Sequence, residues 1–155
     1  MFRPVVFVSL LVASGLAFGK QEASVLSIES EDFAAQRQQI EADLADGETY
    51  AEISSMDRRT VRELLDRIAG RLENAGSVDA MSADQKAQLF NEQEQVNQIL
   101  TQAAADSRLV CRQEAPTGSR FKKTTCFTVA ERRRRMESDQ ADLRRTQNGL
   151  GPANN

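Results

Sequence analysis

The chain has 155 residues, 23 acidic and 20 basic side chains, two cysteines and no histidine or tryptophan. Without histidine there is no imidazole triad or general base, and two thiols alone cannot fill a zinc shell, so neither metal nor cofactor is expected. The length suits one domain with a modest core. Beyond residue 19 the only aromatics are Phe33, Tyr50, Phe90, Phe121 and Phe127, which implies a small helix-lined core and no deep ligand pocket.

Charge is divided along the chain. Lys20 to Asp106 carries 18 acidic and 8 basic residues, a net of −10, whereas Ser107 to Asn155 carries 5 acidic and 11 basic, a net of +6. An acidic body joined to a basic C-terminal region suits an anionic partner. The competing reading is that the two parts neutralise each other within the fold.

Residues 1–19 read as a secretory signal: Arg3, an apolar run from Val5 to Phe18, and small residues at Ala17 and Gly19 for cleavage after Gly19. The run is shorter than the roughly 20 apolar residues of a membrane span, so no stable span is expected after cleavage, with an uncleaved anchor as the alternative. No cysteine lies near the cut to carry a lipid. A periplasmic or secreted location follows as the expectation, and it argues against nucleic acid as a partner.

Residues 20–29 are expected to be a flexible N-terminus, and 30–106 an acidic helical region. Glu31 and Asp32 suit a helix start, with Phe33, Ile40 and Leu44 on one face and Gly47 as the stop. Tyr50 and Ile53 fall in a short connection. A second helix begins near Ser55, where Val61, Leu64, Leu65, Ile68 and Leu72 follow helical spacing, and ends at Gly76. Ser82 and Gln85 form a capping box for a third helix, with Leu89, Phe90, Val96, Ile99, Leu100 and Ala103 as its buried face and Asn97 and Gln98 able to reach partners across a helix pair. Antiparallel packing of the second and third helices is the expected centre of the fold.

From 107 to 128 the pattern becomes a two-cysteine β-hairpin. Leu109 to Arg112 and Phe121 to Thr128 are short β-prone runs around Ala115-Pro116-Thr117-Gly118-Ser119. Setting Cys111 opposite Cys126 pairs Val110 with Phe127 and Arg112 with Thr125. The cysteines then share one face, while Val110 and Phe127 share the other. In an exported chain such a pair is expected to be a structural disulfide. It lacks the C-x-x-C spacing at a helix start that typifies redox pairs.

Thr128 to Glu131 is a second capping box, opening a basic helix over 129–148, with 149–155 expected as a disordered tail. Val129, Met136 and Leu143 recur every seven residues, a thin stripe suited to lying along another helix. Arg112, Arg120, Lys122, Lys123, Arg132, Arg133, Arg134 and Arg135 are the candidate basic surface. Its expected partners are an envelope protein or an anionic surface, and neutralising Arg132 to Arg135 is expected to weaken binding to anionic vesicles in a salt-dependent way. The competing reading is a solvated face, since four successive arginines point around a helix.

No catalytic constellation stands out: the helical carboxylates occupy solvent-facing positions, and Ser119 after Gly118 reads as a turn residue. The chain is therefore expected to be mainly α, a helical hairpin or small bundle with a disulfide-closed β-hairpin and a final helix, and not an enzyme. Homodimerisation through the helices is the alternative function, and an uncharacterised hydrolase a remote one.

Leu109-Val110-Cys111-Arg112, Thr117-Gly118-Ser119-Arg120 and Cys126, with Leu89-Phe90-Asn91-Glu92-Gln93-Glu94 upstream, resemble a signature in small exported proteins of unknown function from Gram-negative bacteria. The resemblance spans mainly residues 85–136. It implies export and the hairpin, and brings no catalytic residue with it.

Overall fold

A computed structural model describes residues 25–29, 32–115, 117–118 and 120–149. The signal segment with its Gly19 cleavage point, Ser119, and the tail after Gly149 lie outside them. The elements are α1 (Phe33–Ala45), α2 (Ser55–Ala75), α3 (Ala83–Ser107), β1 (Leu109–Glu114), β2 (Lys123–Thr128) and α4 (Val129–Gly149). The fold is mainly helical, with a small disulfide-closed hairpin and a C-terminal helix.

Each helix starts where a short polar side chain can take an orphan backbone N–H. Asp32 accepts from Ala34 N, Ser54 from Asp57 N and Ser82 from Gln85 N, with the Gln85 amide oxygen accepting from Ser82 N to complete the box. Gly76 closes α2 at φ 73°, a left-handed position that favours glycine, and its N–H donates to Leu72 O.

The core lies where α1, α2 and α3 meet. Val61, Leu64, Leu65 and Ile68 of α2 are fully buried against Leu89, Val96 and Leu100 of α3, with Ile40 and Leu44 of α1 closing the third side. Ile99 packs half-buried against this core, whereas Phe90, expected on the buried face, is half-buried without joining it. Tyr50, read from the sequence only as part of a connection, is among the largest fully buried side chains. Glu92 of α3 is also buried, between two cations of α2: Arg67 Nε and Arg71 Nε each donate to it at 3.0 Å.

Amide side chains tie down part of the segment expected to be a flexible N-terminus. Asn97 clamps Leu26, accepting from its N–H at 2.8 Å and donating to its carbonyl at 2.9 Å. Gln36 does the same for Ser27, and Gln93 accepts from Ile28 N. Leu26 is thereby driven into the core at 1% exposure. Asn97, expected to reach across a helix pair, serves the backbone of this segment.

Candidate functional site

The two strands pair antiparallel with Cys111 opposite Cys126, Val110 opposite Phe127 and Arg112 opposite Thr125, the register expected from the cysteine spacing. The disulfide is formed, with Cα atoms 4.0 Å apart, and Gly118 supplies the positive φ of the turn. Strand alternation sends the cysteines to one face and Val110, Arg112, Thr125 and Phe127 to the other. That second face looks across an open cleft towards Arg132, Arg135, Met136 and Asp139 of α4.

A polar junction attaches the hairpin and α4 to the body. Thr128 caps α4: its hydroxyl accepts from Glu131 N, while the Glu131 carboxylate accepts from Thr128 N, both at 3.0 Å. The same hydroxyl donates to Glu52 Oε1 at 2.6 Å, and Val129 N donates to Arg108 O. Glu52 also receives the Arg134 guanidinium at 2.7 and 3.3 Å, and its backbone N–H donates to the buried Ser107 Oγ. Beside it, Arg133 forms a fork on Asp106 at 3.0 and 3.2 Å.

The basic surface expected from the sequence therefore divides into three sets. Arg133 and Arg134 are anchors, spent on carboxylates of the acidic body. Arg112, Arg132 and Arg135 line the cleft, with Arg135 lying 3.7 Å over the Phe127 ring. Arg120, Lys122 and Lys123 stand at the hairpin tip, exposed, and among the described residues none of these three makes an ion pair. Phe121, in their midst, is 85% exposed. Partial neutralisation of the charged halves and a residual basic surface thus coexist. Four arginines in succession spread around the helix and serve different ends.

The anchor carboxylates are tuned by this pairing. The Arg134 guanidinium, and then the Thr128 hydroxyl, hold Glu52 below the ordinary 4.5 of a glutamate. Arg133, and then Gln102, hold Asp106 below the ordinary 3.8 of an aspartate. Depressed folded-state values mean that the attachment contributes in full above those ordinary values and is lost as pH falls through the lower folded ones. Acid titration below pH 4.5 should thus loosen α4 before the apolar core melts. Far-UV circular dichroism would show an early, partial loss of helix, and a Glu52→Gln/Asp106→Asn variant should show that loss already at neutral pH and no early step on acidification. A single acid transition in the parent protein, with no early step, would contradict this.

Next to the junction, Glu52, Asp57 and Asp106 border an open groove of about 410 Å3 floored by Ile53, Ile99 and Ala103. Two of its three carboxylates are engaged with arginines. Among the described residues no cluster of three or more His, Cys, Asp or Glu is placed to hold a metal ion. No helix of the described residues is long and apolar enough to cross a membrane. The chain matches no protein-family model, no curated protein and no solved structure.

The junction itself was the feature that the sequence pattern did not reveal. Its one visible signal was the Thr128 capping box. Glu52, 76 and 82 residues from its two side-chain partners Thr128 and Arg134, carried none.

Proposed function

We propose that this is an exported, non-enzymatic protein, periplasmic or secreted, that binds an anionic surface of the envelope through the tip of its disulfide-closed hairpin. The observation that carries the reading is the tip. Arg120, Lys122 and Lys123 flank Phe121 along the chain, all exposed, with Phe121 at 85%, while the helix arginines Arg133 and Arg134 are occupied within the chain. Cations flanking an exposed aromatic ring suit an interface of acidic headgroups over apolar chains. The acidic body would be repelled by the same surface, which orients the molecule tip-first.

The test is co-sedimentation with phosphatidylcholine vesicles, with and without phosphatidylglycerol. Each basic residue near an anionic surface is worth about 1 kcal/mol. Arg120→Ser/Lys122→Ser/Lys123→Ser should accordingly weaken binding to the anionic vesicles roughly a hundredfold. Raising the salt to about 1 M, where the screening length is about 3 Å, should do the same to the parent protein. Equal binding by parent and variant, or equal binding to neutral vesicles, would refute the reading.

A further inference from the structure

We infer that α4 pairs with α4 of a second copy, antiparallel and centred on Met136. From Arg132 to Asn148 every residue of this helix is exposed. Met136 at 59% and Leu143 at 62% lie on the outside of the chain. Helices in proteins draw most of their stability from packing an apolar face. Among the described residues, the hydrogen bonds, ion pairs and ring contact that tie α4 to the body and hairpin fall in its first two turns, ending at Arg135 over Phe127.

Charge decides both the occupant and its direction. Viewed along the axis, Val129, Met136 and Leu143 form one line, with Arg132 and Asp139 on one flank and Arg133 and Gln140 on the other. A twofold axis perpendicular to both helices keeps each flank against the same flank of the other copy. With that axis at Met136, Met136 meets its counterpart and Leu143 stands level with the second copy's Val129. Arg132 then faces Asp139 to within one residue's rise, about 1.5 Å. Parallel pairing would instead set each flank against the opposite one, Arg132 against Arg133 and Asp139 against Gln140, with no arginine–aspartate pair. Shifting the antiparallel pair by seven residues brings Arg132 against Arg132 in one direction and Asp139 against Asp139 in the other. The Met136-centred register alone makes two arginine–aspartate pairs.

The apolar parts fit this arrangement. Val110, Val129 and Met136 line an open cleft of about 440 Å3 between β1 and α4. In the pair, Leu143 of the second copy arrives level with Val129, at the mouth of that cleft. Each copy contributes one cleft and one leucine, as a self-complementary interface requires. The pairing is independent of the hairpin tip, so Arg120→Ser/Lys122→Ser/Lys123→Ser should leave it unchanged.

Sedimentation equilibrium of the purified protein should show a dimer whose dissociation constant rises at least roughly tenfold in Arg132→Asp and in Asp139→Arg, each of which places like charges opposite each other. The double variant Arg132→Asp/Asp139→Arg should return to within about threefold of the parent, because the pairs are restored with their signs exchanged. Under mild oxidation, with the native disulfide intact, Met136→Cys should crosslink to itself. Leu143→Cys should crosslink only when mixed with Val129→Cys. A chain that stays monomeric up to roughly 1 mM overturns the inference. So does a dimer indifferent to Arg132→Asp, or one in which Leu143→Cys crosslinks to itself and Met136→Cys does not.

Discussion

Leu100→Ala is expected to cost about 2–5 kcal/mol of global stability, the range for truncating a buried leucine where the surroundings relax only in part. Leu100 has no exposed surface and sits where α3 meets α2, among Leu64, Leu65 and Ile68. In urea denaturation the midpoint should fall with the slope unchanged, because the surface exposed on unfolding is nearly the same. Met136→Ala is the matched control. At 59% exposure it should shift the midpoint by no more than about 0.5 kcal/mol at dilutions where the chain is monomeric. A loss as large as that of Leu100→Ala would mean that α4 is part of the core.

The second large effect is expected from Cys111→Ser/Cys126→Ser. Closing a loop of about 15 residues stabilises by roughly 3 kcal/mol in the chain-entropy account. A two-stranded hairpin standing clear of the core has little else to hold it, being marginal in isolation. The loss should therefore be local: amide exchange should accelerate across β1 and β2, while the α2 and α3 amides keep the protection of the parent. Vesicle binding should weaken as well, since Arg120, Lys122 and Lys123 would no longer be held around Phe121. Unchanged exchange in the hairpin would show that the strands are held by something other than the disulfide.

These two outcomes separate a body that is apolar and rigid from an arm that is polar in its attachment and stapled within itself. The arm joins the body through Glu52, Asp106, Ser107 and Thr128, at the C-terminal end of α3 and the connection before α2. Such an attachment titrates with acid, whereas the core does not. The same division places the proposed surface contact at the hairpin tip and the inferred helix pairing on α4. Each can be removed without disturbing the other.

Local patterns were legible from the residues alone because their causes are local. The 3-4 spacing from Val61 to Leu72 and the capping boxes at Ser82 and Thr128 need only neighbours within a turn or two. The strand register followed from one covalent constraint, which leaves a period-two chain no freedom to slip. What the tertiary structure decided were pairings between distant residues: Leu26 with Asn97 across 71 positions, and Arg134 with Glu52 across 82. A capping or helical rule has no range over such separations, so the sequence could show Arg132 to Arg135 only as one basic run. Folding resolved it into two anchors, Arg133 and Arg134, and two cleft residues, Arg132 and Arg135, because successive helical residues point about 100° apart and meet different surroundings. Net charge was legible. Which charges remained available for a partner depended on where the acidic body came to lie.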